Sequence, residues 1–263
     1  MCTLVILRRS GDSWPLILAA NRDEVLARPW APPARHWPER PHVVAGRDLE
    51  AGGTWLGLGD GGVAAGVLNR PGALGPAPGK ASRGELVLRA LDHDSAAAAV
   101  RALRRLDATQ FRPFNLVVAD AGGAWWLRWA GAAGGIEAAP VPEGLSMITA
   151  HDLNDTASAR IRRQLPRFRA APEPDPALGD WSAWQRLLAD SDGGADGPHS
   201  AMTLGPASGF GTVSSSLIAL PARAGTAERA RWLFAPGRPD TTEFEPVDLS
   251  PNQMLEGKYS SGR

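Results

Sequence analysis

Cysteine 2 is the residue of this chain best placed by type and position to do covalent chemistry. It is the one cysteine in the sequence, so an internal disulfide is excluded. Methionine aminopeptidases generally remove Met1 ahead of a small side chain, which would leave a thiol and an α-amine on one residue. A free α-amine titrates at about 7.7–8.0, so part of it is neutral at physiological pH and able to take the thiol proton. Nucleophile and base would then share one residue at the start of a strand. A lone cysteine is also a common small buried hydrophobe, and that packing role stands as the alternative.

A second group follows an apolar run: Asn21-Arg22-Asp23-Glu24. Asp23 would accept a hydrogen bond from the α-amine and orient it, while Arg22 would hold a substrate carboxylate or stabilise a thiolate. Composition alone favours a strand-end turn with a solvated ion pair. His151, in Ala150-His151-Asp152-Leu153-Asn154-Asp155, ends a strand where Asp152 or Asp155 would orient its ring. The competing reading is a capping loop with Asn154 or Asp155 as the cap. The five histidines (36, 42, 93, 151 and 199) are scattered, and no metal site is expected. Arg160, Arg162, Arg163, Arg167 and Arg169 read as the solvated face of a helix, with an anionic ligand group as the minority reading.

The elements that must position these groups start with strands over 2–8 and 15–20. A hairpin over 54–58 and 63–68 follows, joined by Gly59-Asp60-Gly61-Gly62. Because a strand follows it, Gly57-Leu58-Gly59-Asp60-Gly61-Gly62 is a hairpin and not a dinucleotide-binding turn. Ser82-Arg83-Gly84-Glu85 has the form of a capping box, opening a helix to about Leu91, with a second helix over 95–106. A hairpin over 115–120 and 124–130 places Trp125, Trp126 and Trp129 on both faces of one strand, between layers. A strand over 145–150 precedes a helix from about Thr156, whose apolar face is Ala157, Ile161, Leu165 and Phe168. A short helix over 181–189 and strands over 214–220, 231–235 and 243–247 close the chain. The stretches 30–41, 172–180 and 190–200 read as loops. Hairpins around a central helix pair point to antiparallel sheets covered by helices, not to a doubly wound sheet.

Lys plus Arg equals Asp plus Glu at 28 each, which gives no electrostatic footprint for nucleic acid. No apolar stretch reaches the length of a membrane span, and no composition break divides the chain. A single domain over 1–263, soluble and cytoplasmic, is expected.

Several blocks then carry a resemblance. Asn21-Arg22-Asp23-Glu24 is the sequence for which the NRDE family, also called the transport and Golgi organization 2 family, is named. Met1-Cys2-Thr3, Gly53-Thr54-Trp55-Leu56-Gly57, Leu68-Asn69-Arg70, Ser82-Arg83-Gly84-Glu85-Leu86, Asn115-Leu116, and Gly211-Thr212 with Ser214-Ser215 resemble that family's blocks, in its order. The resemblance implies an α+β fold, a four-layer αββα sandwich similar to N-terminal nucleophile hydrolases of the choloylglycine hydrolase and penicillin V acylase type. It implies Cys2 as nucleophile, Asp23 orienting its amine, and Asn69 in the oxyanion hole. Arg22, Asn21 and His151 are the candidate substrate-binding residues. Two positions depart from the family's pattern: Met147 where it usually has Asn, and Val213 where it tends to have Arg. The expected ligand is a small-molecule amide, with no cofactor. The alternative is a non-catalytic carrier of haem or an acyl-lipid in the same cleft.

Overall fold

The computed structural model describes residues 2–131, 134–206, 209–222 and 229–251. In chain order the strands are β1 (Thr3–Arg8), β2 (Leu16–Val25), β3 (Trp30–Ala34), β4 (Val43–Asp48), β5 (Leu56–Gly59), β6 (Ala64–Asn69), β7 (Phe114–Asp120), β8 (Gly123–Trp129), β9 (Glu137–Pro140), β10 (Gly144–Ile148), β11 (Phe210–Leu220), β12 (Arg231–Ala235) and β13 (Glu245–Pro246). The helices are α1 (Gly84–Leu91), α2 (Ala96–Leu103), α3 (Ala159–Ala170) and α4 (Ser182–Leu188). Among the described residues, the strands form a six-stranded sheet in the order β10-β1-β2-β11-β12-β13 and a seven-stranded sheet running β3 to β9 consecutively. All pairings between these strands are antiparallel.

Three apolar layers hold the four-layer αββα sandwich together. Leu86, Leu91, Ala99 and Leu103 pack from α1 and α2 onto Ala65, Leu116 and Leu127 of the seven-stranded sheet. Leu4, Ile6, Leu16 and Leu18 of β1 and β2 meet Leu56, Ala64 and Val117 between the sheets. Val5, Leu7, Ile17 and Ala19 point the other way, onto Ile161, Leu165, Phe168 and Trp184 of α3 and α4. The period of two along a strand thus assigns alternate residues of β1 and β2 to different layers.

β2 does not end near Ala20. It carries Asn21 to Glu24 inside the strand, because β11 pairs with it from Leu16↔Leu220 to Val25↔Phe210. That ladder satisfies the backbone of the polar run, so a strand-end turn is ruled out there. The proline-rich 30–41 stretch contains a strand, β3, where a loop was expected. It lies at a sheet edge, where proline is tolerated, and its register shifts between Ala31 and Ala34 across the two prolines. The 57–62 glycines do form a hairpin, β5 to β6. α1 begins at Gly84, not at the serine: Ser82 Oγ accepts from the Gly84 amide at 3.2 Å, while Glu85 turns to Arg89. Among the described residues no helix is long and apolar enough to cross a membrane.

Candidate functional site

Cys2 lies one step beyond the Thr3↔Asn21 pair, at the end of the β1–β2 ladder. It is half-buried, packs against the apolar layer between the sheets, and its Sγ donates to the Asp23 carbonyl at 3.4 Å. Burial pushes the Cys2 thiol up, and the Asp23 carboxylate adds to the shift despite the opposing Arg22 cation. The resting group is therefore a thiol. Met1 lies outside the described residues.

Alternation along β2 splits the polar run between two faces. Asn21 and Asp23 face the helices, whereas Arg22 faces the seven-stranded sheet. The Asp23 carboxylate is buried; it accepts from Thr212 Oγ1 at 2.7 Å and from Arg160 Nη1 at 2.9 Å. Arg160 also donates to Thr3 Oγ1 at 2.7 Å, so α3 is tied to both β1 and β2 by one guanidinium. This overturns the solvated reading for Arg160, which is 1% exposed; Arg162 and Arg169 are exposed as expected. The signal was present in the sequence. Arg160, Gln164 and Phe168 recur at four-residue spacing beside Ile161 and Leu165, and all five are buried.

Asn21 is committed to structure. Its amide donates to the carbonyls of Leu188 at 2.9 Å and Met202 at 3.0 Å, and its oxygen accepts from Ser215 Oγ at 2.6 Å.

On the other face, the Arg22 guanidinium lies 4.2 Å over the Trp55 ring. A Cβ on Gly46 would meet that ring at 2.3 Å, so the glycine makes room for it. Glu24 and Asp48 stand 3.7 Å from Arg22, beyond hydrogen-bond reach. Nη1 is buried and has no hydrogen-bond partner among the described residues, and burial lowers the Arg22 pKa. Asp48 is engaged by Arg28 at 2.7 and 3.2 Å. Burial raises the Asp48 carboxyl, but the Arg28 pairing outweighs burial and holds it below the usual carboxylate range.

Cys2, Arg22 and Asn69 all line one cavity of about 340 Å³. Residues of the 75–84 segment, Arg112, Gly53, Thr54 and Trp55 complete its lining. Gly53 and Gly84 touch backbone to backbone: a Cβ on Gly84 would come within 2.6 Å of the Thr54 amide nitrogen. Asn69 ends β6, and its side chain makes no hydrogen bond to the described residues, leaving it open to a ligand.

His151 does not line this cavity. It is half-buried after β10, with Nδ1 3.7 Å from Asp155 Oδ2. Asn115 holds that loop, donating to the carbonyls of Thr149 and His151 while accepting from Arg70 and Trp126. The cap of α3 is Ser158, not Asn154 or Asp155. Asn154, with φ of 60°, instead pairs both ways with the backbone of Met147. Met147 is buried among the helices. Val213 is buried in a β-bulge between Thr212 and Ser214. Neither offers the donor that Asn or Arg would. Among the described residues no group of His, Cys, Asp and Glu is placed to hold a metal ion.

Comparison with known proteins bears on the fold and the family. In shape the chain is similar to a cysteine-to-alanine mutant of conjugated bile acid hydrolase from Clostridium perfringens, with a TM-score of 0.53 at 11% identity, covering 96% of this chain and 98% of that one. It is similar to the N-acylethanolamine-hydrolyzing acid amidase ortholog of Caenorhabditis elegans, with a TM-score of 0.52 at 13% identity, covering 93% and 100%. Those identities speak to the fold alone, which is that of the N-terminal nucleophile hydrolases. In sequence it is 37% identical over 116 residues to the Transport and Golgi organization protein 2 homolog of Bos taurus, and 35% identical to that of Homo sapiens. Each match covers 42% of this chain and 41% of the relative's length. The model of the Transport and Golgi organisation 2 family matches residues 1–165, and the chain belongs to that family.

Proposed function

We propose that the chain is an N-terminal cysteine amidohydrolase acting on the C–N bond of a small-molecule amide. The observation that carries this reading is the opening of Cys2, Arg22 and Asn69 onto one cavity, with Asp23 buried directly behind. Once Met1 is removed, the Cys2 α-amine takes the thiol proton and the thiolate attacks the amide carbon. Asn69 donates to the developing oxyanion, an interaction worth about 2.7–4 kcal/mol for a well-aimed donor. The C–N bond breaks as the ammonium returns its proton to the leaving amine, and water then hydrolyses the thioester. Asp23 orients the amine and Arg22 holds the substrate. Two solved structures of similar shape bear the names of a conjugated bile acid hydrolase and an N-acylethanolamine-hydrolyzing acid amidase, which supports hydrolysis as the class of reaction. A cytoplasmic setting, where a lone thiol stays reduced, fits the chemistry.

A second reading is a carrier that binds haem or an acyl-lipid in the same cavity without turnover. It draws support from Met147 and Val213, which supply no donor. Intact-mass measurement and an acyl-electrophile probe separate the two. Loss of Met1, labelling that disappears in Cys2→Ala, and turnover across an amide panel are expected. Retained Met1 ends the hydrolase reading, and ligand binding kept in Cys2→Ala with no turnover in the native protein establishes the carrier.

A further inference from the structure

The charges around the cavity do not balance. Arg22, Arg28, Lys80, Arg83 and Arg112 line it, against the carboxylates of Glu24 and Asp48, an excess of three positive charges. The whole chain has 28 of each sign, so this is a local concentration and focuses field into the cleft. Arg28 accounts for Asp48 through its bidentate bond. Lys80, Arg83 and Arg112 have no carboxylate partner among the described residues. Lys80 donates to the Thr109 carbonyl, Arg83 to the carbonyls of Ala73, Gly75 and Pro113, and Arg112 to those of Gly72, Leu74, Gly75 and Pro76. Carbonyls satisfy the N–H donors but leave the charges uncompensated. Burial first, and then the neighbouring Arg112 guanidinium, hold Arg83 down to about 10.

The second observation is at Arg22, which lines the same cavity. Arg22 is 5% exposed, and its Nη1 has no hydrogen-bond partner among the described residues. Ser214, its neighbour in register on β11, also buries a hydroxyl without a partner among the described residues. Buried donors of this kind are costly unless something bonds to them.

We propose that the cleft recognises a small molecule through an anionic group, a carboxylate or a phosphate, held by Arg22, Lys80, Arg83 and Arg112. This names the class of substrate for the amidohydrolase reading and rests on it for turnover, though not for binding. An anion there offsets the Arg22 charge, gives its buried Nη1 an acceptor once that side chain turns toward it, and screens the repulsion between Arg83 and Arg112.

The test measures binding to the full chain carrying Cys2→Ala, by calorimetry, with three probes of one chain length. These are N-octanoylglycine, O-phospho-N-octanoylethanolamine and N-octanoylethanolamine. At least one of the two anionic probes should bind at least about tenfold tighter than the neutral one. That advantage should shrink with added NaCl, and in Lys80→Gln and Arg22→Met. The salt series stands independently if Arg22→Met fails to fold. The carboxylate and phosphate arms identify which anion is preferred. Equal binding of all three probes, no binding of either anion, or a salt-independent preference overturns the proposal. Anion-selective binding without hydrolysis of any probe by the native protein sinks the amidohydrolase reading and leaves the anion site standing.

Discussion

Replacing Arg160 by methionine removes the cation from a pair whose side chains are 1% and 0% exposed. Thr212 still donates to the Asp23 carboxylate, but the 2.9 Å bond from α3 disappears, together with the 2.7 Å bond to Thr3. Methionine fills much of the guanidinium's volume, so the loss is chiefly electrostatic. Removing one partner of a buried pair costs about 3–5 kcal/mol. In a chain of this size each kcal/mol moves Tm by roughly 2–4 °C, which places the fall at roughly 6–20 °C. Urea unfolding followed by tryptophan fluorescence reads it, because Trp184 of α4 is buried against Phe168 of the same layer, 5.3 Å between rings. Asp23→Asn in the Arg160→Met background should cost less than in the native protein, with a coupling of about 0.5–3 kcal/mol. A cost for Arg160→Met below about 1 kcal/mol, or strict additivity in the double variant, would refute the view that this pair locks β1 and β2 to the helix layer.

Three further outcomes are expected from the same packing. Gly84→Ala drives a Cβ to 2.6 Å from the Thr54 nitrogen and 2.8 Å from its oxygen, backbone atoms that cannot swing aside. A loss of about 1–3 kcal/mol is expected in thermal unfolding, and an unchanged Tm would contradict the close approach. Trp55→Leu removes the ring beneath Arg22 and should destabilise by about 0.5–2 kcal/mol beyond the lost apolar area, separable by comparison with Trp55→Phe. Alkylation of Cys2 by iodoacetamide should rise with a midpoint above the ordinary thiol value of about 8.5. Folding stability should fall over the same window, since the folded state keeps a proton that the unfolded state releases. An alkylation midpoint at or below the ordinary value would show that burial does not govern the thiol.

Antiparallel sheets covered by helices were legible in the sequence because hairpins declare themselves through glycine turns and period-two patterning, whereas the four-layer order was implied only by the family resemblance. The 57–62 turn and the Phe114–Trp129 hairpin are of this kind. The site was legible in part. Cys2, Arg22 and Asn69 line one cavity, whereas Asn21 and Asp23 lie behind it. Adjacency in sequence disguised that division, which only the strand assignment reveals. Arg160 was missed because five arginines on one helix read as a solvated face, while four-residue spacing places this one among the buried positions. β3 was missed because its prolines outweighed its edge location. The charge excess in the cleft escaped composition entirely, since Lys80, Arg83 and Arg112 are brought together with Arg22 only by the fold.

The two-sidedness of β2 has a consequence for how this sequence can change over generations. Point substitutions in residues 16–25 affect one layer at a time, so either layer can drift while the other is held fixed. A one-residue insertion or deletion in the strand would turn Asp23 toward the cleft and Arg22 toward the helices, inverting the polarity of both compartments at once. Length variation among relatives should therefore collect in the connections before Leu16 and after Val25. The strand itself behaves like a reading frame.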